Sequence, residues 1–288
     1  MAGNLLIYSH DSVKRKATLV SAHDLGGANQ LLYATRNKRH YHYALTGPAL
    51  HVAKTLLLPN ILNLDSINLD EYSHVLVSSN LEEQFSDALM IAALSTREIR
   101  VTGYLDHWVN FGSRWKQTPH KVIVSDLRAY FAALPHFGSR VRLNRNHYLL
   151  ALKQSKQAIL SATAIDEGQS ALVILQPKGK EYRHQETLSS CFCLYTSQFL
   201  EQNFVHHLTL RNHVDTDAIH CSEYLKGKFP QVTFVVSDWS SSLEGDLVRA
   251  SFVIGMDSYA LFIANKLGKK VLSLGERRSK FSPKYPIL

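Results

Sequence analysis

Along this chain, apolar and polar positions repeat one rhythm: a β-branched or apolar run, a short loop, then an apolar stripe at helical spacing. Ala17–Ala22 (ATLVSA) reads as a strand, and residues 25–36 read as the helix that follows it. Further strands are expected at Tyr41–Leu45, at 74–78, at 99–105 and at 121–125. Helices are expected at 81–95, between two of those strands, and at 127–134. Residues 147–162 read as a connecting helix, and 163–170 (TAIDEGQS) are polar and turn-rich. The rhythm then restarts with strands at 171–175, 205–210, 232–237, 251–255 and 270–274. Helices at 185–201, 215–227 and 258–267 lie between them.

Apolar strands alternating with helices imply parallel sheets covered on both faces. The predicted fold class is therefore α/β, with two Rossmann-like parallel-sheet domains facing a cleft. The expected boundary separates residues 1–150 from residues 151–288. In such sheets ligands bind beyond the carboxyl ends of the strands, so the residues ending each strand are the candidates for chemistry.

Composition narrows the class. The 288 residues are 45% hydrophobic and 19% charged, enough apolar material for a sizeable core and against disorder. No apolar run approaches the roughly 18–20 residues that cross a bilayer. The stretch Leu5-Leu6-Ile7-Tyr8 is too short for a secretory signal, and Lys14, Arg15 and Lys16 follow it instead of preceding it. Three cysteines, Cys191, Cys193 and Cys221, have neither zinc nor thioredoxin spacing and read as free thiols. Together these features predict a cytoplasmic protein. The excess of 32 Lys and Arg over 24 Asp and Glu, a net charge of +8, fits an anionic partner. That partner could be a phosphorylated metabolite, a nucleotide or an anionic membrane face. Nucleic acid is disfavoured, because no dense basic block interleaved with aromatics and no binding motif is present.

Four strand ends carry candidate chemistry. His23-Asp24-Leu25-Gly26-Gly27-Ala28-Asn29 follows the first strand, and its paired glycines would let a ligand approach the start of the helix. A tight strand–helix turn with Asp24 near the cap is the structural alternative. His23 at the strand tip is a candidate base. Neither a dinucleotide fingerprint nor a P-loop occurs. The second segment runs from Asp106 through His107, Trp108 and Arg114 to Trp115, crowding an acid, an imidazole, two indoles and a guanidinium. It reads either as a cleft wall, with Asp106 or His107 able to take a proton and Trp108, Trp115 and Arg114 lining it to suit the apolar faces of sugar rings or bases, or as a buried aromatic cluster with a satisfied Asp. Asp126, ending the next strand, is a weaker candidate. In the second half, Arg211 and His213 project to one side of a strand end and suit a phosphate. Gly255-Met256-Asp257-Ser258-Tyr259 leads a strand into a helix, presenting a helix start to an anion or merely capping it. The histidines lack the carboxylate spacing of a metal site, and no cofactor is called for. A serine nucleophile elbow is absent as well.

The run from Leu247 through Gly255-Met256-Asp257-Ser258 and on from Ala264 to Leu274 resembles the C-terminal half of GT-B glycosyltransferases. It equally resembles their relatives, the non-hydrolysing UDP-sugar 2-epimerases and sugar-nucleotide hydrolases. Leu210-Arg211-Asn212-His213 is similar to the Arg-x-His-Pro element of bacterial capsule and lipopolysaccharide transferases, with Val214 in place of the proline. The carboxylate that relatives carry near Asn265 for the ribose is missing. The Gly26-Gly27 loop looks like the glycine loop after the first GT-B strand. The Asp106–Trp115 segment resembles proteins of polysaccharide gene clusters of no known chemistry.

What the resemblance implies is a metal-independent transferase moving a sugar from a nucleotide-activated donor to a glycan acceptor in surface-polysaccharide synthesis. Gly26, Gly27, Asn29, Arg211, His213, Gly255, Asp257, Ser258 and Tyr259 would hold the donor, and Asp106, His107, His23 or Asp24 would supply the base. A sugar-nucleotide epimerase or hydrolase, or a non-catalytic sugar- or nucleotide-binding partner, fits the same residues. Peripheral contact with the inner membrane face and the oligomeric state are left open.

Overall fold

Among the described residues of the computed structural model, eleven strands, all paired in parallel, form two separate sheets. The structure describes residues 17–79, 85–106, 108, 111, 114–162, 170–175, 196–212, 218–237, 241, 243–256, 258–274 and 284–286. The first sheet contains β1 (Ala17–Ala22), β2 (Tyr41–Leu45), β3 (Tyr72–Ser78), β4 (Arg100–Leu105), β5 (Lys121–Val124) and β6 (Val141–Leu143) in the order β2-β1-β3-β4-β5-β6. The second contains β7 (Ser170–Ile174), β8 (His207–Arg211), β9 (Thr233–Ser237), β10 (Phe252–Gly255) and β11 (Lys270–Ser273) in the order β11-β10-β7-β8-β9. Chain direction across the sheet reverses between β1 and β3 in the first and between β7 and β10 in the second. These reversals are where an open parallel sheet leaves room for a ligand.

The helices follow the expected alternation. In the first half they are α1 (Leu25–Thr35), α2 (Pro48–Thr55), α3 (Phe85–Ser95), α4 (Leu127–Phe137) and α5 (His147–Ala162). In the second they are α6 (196–202), α7 (Ala218–Lys228), α8 (Leu243–Arg249) and α9 (Tyr259–Lys266). The sequence pattern missed α2, β6 and α8, all eight residues or shorter and so too brief to establish a period. Helix α4 ran past its expected end at Leu134, because Pro135 sits in the last turn and the helix stops instead at Gly138, φ +55°. The helices expected at 185–201 and 215–227 lie partly outside the described residues.

One apolar cluster crosses from the first half to the second, joining Leu19, Val75, Trp108 and Tyr148 to Leu172, Leu247, Tyr259 and Phe262. The boundary expected at residue 150 falls inside α5, which packs on α1 of the first half and α8 of the second. Tyr33 of α1 donates to Glu244 Oε1 of α8 at 3.4 Å and stacks edge-on with Tyr148 of α5 at 5.1 Å. Tyr259, the first residue of α9, is gripped by the first half: its hydroxyl is hydrogen-bonded by Gln30 of α1, by Asn146, and by Ser125 at the end of β5. Burial raises its phenol pKa, only partly offset by those hydrogen bonds, so it stays a neutral partner. The carboxyl end of the first sheet and the start of α9 therefore meet at this tyrosine.

Candidate functional site

Strand β1 ends at Ala22, and the next residue, His23, turns its ring onto the β2–α2 turn. Its Nδ1 lies 2.7 Å from Thr46 Oγ1 and its Nε2 lies 4.0 Å from Asp24 Oδ1. The ring rests on Gly47, where a Cβ would come within 2.5 Å of it, and Gly47 has a left-handed φ of +51°. Space and backbone both demand glycine there. A quarter of the His23 side chain is exposed; Thr46 holds Nδ1, and Nε2 lies between the Asp24 carboxylate and Gly47.

Asp106, beyond β4, is the most constrained acid of this edge. Its Oδ1 accepts from Ser79 Oγ at 2.7 Å and lies 3.8 Å from Arg114 Nη1, while Oδ2 faces the start of α1. A Cβ on Gly26 would fall 2.2 Å from that oxygen, and one on Gly27 would fall 2.7 Å from Ser78 Cβ. The room left by the paired glycines is thus taken by the protein's own Ser78 and Asp106. The carboxylate occupies the electropositive helix start where a phosphate was expected. Asn29, also expected to contact the donor, is buried on α1.

The aromatic segment is a packed wall, corresponding to the buried-cluster alternative. Trp108 is 1% exposed, donates through Nε1 to Asp126 Oδ1 at 3.1 Å, and packs on Phe262 and Tyr259 at centroid distances of 5.2 and 5.8 Å. Trp115 lies over Gly103, whose Cβ would meet its ring at 2.5 Å, and reaches Ser78 O at 3.4 Å through Nε1. Arg114 is likewise buried beside Asp106. Trp108, Arg114 and Trp115 therefore offer no open face to an acceptor. Asp126 acts as the cap of α4, accepting from Arg128 N and Ala129 N at 2.9 Å each.

Arg211 departs from expectation in the same way. Its Nη1 donates to Asp246 Oδ2 at 2.7 Å and its Nη2 to Ser241 O at 2.9 Å, with the side chain 7% exposed. Asp246 also accepts from Ser237 Oγ at 2.7 Å and from Arg249 Nη2 at 2.9 Å. The guanidinium is directed into a buried ion-pair network tying β8, β9 and α8 together, not toward a ligand. Gly255 sits tightly against β7, where a Cβ would lie 3.2 Å from Ile174 O. Ser258 caps α9, accepting from Leu261 N at 3.4 Å. His107, His213 and Asp257 lie outside the described residues.

Sequence reading missed Asp87, in the first turn of α3. It is buried, its Oδ1 has no hydrogen-bond partner among the described residues, and burial together with the charge of Asp24 pushes its carboxyl up to about 6. Its neighbour Ser86 meets Ser21 of β1 at 2.8 Å, which places the start of α3 against the carboxyl end of β1. A lone acid in an apolar stripe gave no signal. The charge of Asp87 costs stability above its raised pKa, because the folded protein holds the proton to a higher pH than the unfolded chain does. Asp87→Asn is therefore expected to stabilise the protein by about 2 kcal/mol at pH 7.5, the gain shrinking as the pH falls through 6 toward 4. Urea unfolding of both proteins across that range checks it, and a gain independent of pH would refute it.

Two all-parallel Rossmann-like sheets meeting at their strand ends constitute the GT-B architecture. The chain is similar in fold to the S. aureus MnaA–UDP co-structure, with a TM-score of 0.65 at 11% identity over 90% of this chain and 79% of that one. It is similar also to the Neisseria meningitidis UDP-GlcNAc 2-epimerase bound to UDP-GlcNAc, with a TM-score of 0.61 at 13% identity over 90% and 82% of the two chains. For Acinetobacter baumannii MurG the TM-score is 0.51 at 10% identity over 92% and 80%. No family model and no curated protein matches the sequence.

Proposed function

We propose that the protein is an enzyme acting on a nucleotide-activated sugar at the junction of its two halves, and that the reaction is glycosyl transfer to an acceptor hydroxyl. The observation that carries this reading is His23. It stands at the carboxyl end of β1 beside the topological reversal, a quarter exposed, with Nδ1 held by Thr46 and Nε2 beside the Asp24 carboxylate. With the proton on Nδ1 donated to Thr46, Nε2 is the acceptor that takes the proton from an attacking hydroxyl. The base role expected of Asp106 passes to His23, because Asp106 is already engaged by Ser79, Arg114 and the start of α1. Asp106 then acts as a positioning residue for the helix behind His23.

The donor's phosphates would lie at the Ser258-capped start of α9, where the helix dipole favours an anion without a metal. The UDP and UDP-GlcNAc in two structures of the same fold support a uridine nucleotide sugar as donor. The glycan acceptor and a role in capsule or lipopolysaccharide synthesis at the inner membrane face rest on the resemblance of residues 210–213 and 247–274. An epimerase or hydrolase acting on the same donor is the second reading. It is favoured by Asp87, buried at the start of α3 beside the carboxyl end of β1, whose carboxyl is pushed up to about 6 by burial and the charge of Asp24.

Melting curves with CMP, CDP, UDP, GDP and ADP at millimolar concentration test the donor assignment. A nucleotide at a hundredfold excess over its Kd stabilises the fold by about 2.7 kcal/mol. The expected result is one base-selective upward shift, reduced in Ser258→Ala. A flat panel would reject a nucleotide-sugar enzyme, and product analysis with the selected sugar nucleotide would separate transfer from epimerisation and hydrolysis.

A further inference from the structure

Residues 127–162 contain Arg128, Arg140, Arg142, Arg145, Lys153 and Lys156 and not one Asp or Glu. That single segment holds +6 of the chain's net +8. Four of these cations, Arg128, Arg140, Arg142 and Arg145, lie on or beside α4 and the edge strand β6, at one end of the first sheet. Large apolar side chains stand exposed among the cations: Leu127 at 60%, Phe131 at 55% and Leu143 at 48%.

The geometry makes these one surface. On α4, Leu127, Arg128 and Phe131 are spaced to share the outer face, while Ala129, Ala132 and Ala133 are buried and Tyr130, Leu134 and Phe137 pack on the core. Leu143 pairs with Val124 of β5, and Asn144 N donates to Val124 O at 2.9 Å, so Leu143 and Arg145 lie alongside the residues that lead into α4. This is the same carboxyl edge at which Asp126 and Trp108 back the candidate site. An RNA would meet the cations and could stack a base on Phe131, but it would leave the aliphatic Leu127 and Leu143 in water. Cations with apolar side chains between them match a bilayer surface, where the charges meet anionic headgroups and the apolar groups enter the acyl boundary.

We propose that the α4–β6 surface docks the protein peripherally on an anionic lipid bilayer, with its strand-end site held toward the membrane. This stands apart from the sugar-nucleotide reading, because vesicle binding needs no substrate.

Co-sedimentation with phosphatidylcholine vesicles, with and without about one part in three of phosphatidylglycerol, tests it at low and high salt. Binding is expected only with the anionic lipid and is expected to weaken with salt. Two double variants, Leu127→Ser with Phe131→Ser and Arg128→Glu with Arg145→Glu, should each lower partitioning more than about tenfold with unchanged melting temperatures. All four positions are exposed, so the fold should tolerate the changes. No binding to the anionic vesicles, or equal binding by wild type and both variants, would overturn the proposal. Binding of an oligouridylate lost only in the charge variant, with no vesicle binding, would assign the surface to nucleic acid. Concentration-dependent dimerisation lost in the apolar variant, again without vesicle binding, would assign it to a second copy of the chain.

Discussion

Replacing Asp246 by alanine is expected to destabilise the protein by about 3–5 kcal/mol, the range for removing one partner of a buried ion pair. Asp246 is 2% exposed in its side chain and accepts from Arg211, Arg249 and Ser237 at 2.7 to 2.9 Å. Arg249 is two-thirds exposed and can return to water, so its loss is small. Arg211 cannot: with its side chain 7% exposed, it would keep a full charge with Ser241 O as its remaining acceptor among the described residues. The cost is therefore mainly the stranded guanidinium, and this has a further consequence. The double variant Arg211→Met with Asp246→Leu should recover most of the loss, because a well-packed apolar pair replaces a buried ion pair nearly without penalty. Urea unfolding measures both. A loss below about 1 kcal/mol in Asp246→Ala would mean that Arg211 finds another partner and the network is not what ties β8 and β9 to α8.

His23→Gln should lower kcat on the sugar nucleotide selected by the melting panel by about 10²–10⁴, the usual contribution of a positioned general base. Glutamine can keep a hydrogen bond to Thr46 and fits above Gly47, so KM and stability should change little. Thr46→Val, which frees the ring without removing it, should give a smaller loss with the same pattern. Asp106→Asn is the contrasting arm. It weakens the contact with Ser79 and the start of α1, and it should raise KM and lower stability along with kcat. If Asp106→Asn abolished turnover at unchanged donor affinity while His23→Gln retained it, the base would be Asp106.

The architecture was legible because its signal is local. A strand buried on both faces must be an apolar run, and a covering helix must carry an apolar stripe. β1, β2 and α5 accordingly fall within the limits the pattern gave. The elements it missed, such as α2 and α8, are held by their neighbours and are too short to show a period of their own. Tyr259 looked like part of a phosphate-binding turn, and only the closure of the two halves makes it the residue that Gln30 and Asn146 grip.

The amino-acid sequence by itself determined two parallel α/β halves and the strand ends at which chemistry can occur. Only the tertiary structure decided how the strand-end groups are used. Asp106 meets Gly26, Arg211 meets Asp246, and Trp108 meets Phe262, each across a stretch of chain that no local pattern spans. A buried charge must find its partner and a buried ring its neighbours, and those partners are chosen by how sheets and helices pack. What packing left partly open at the end of β1 was the ring of His23, held on one side by Thr46.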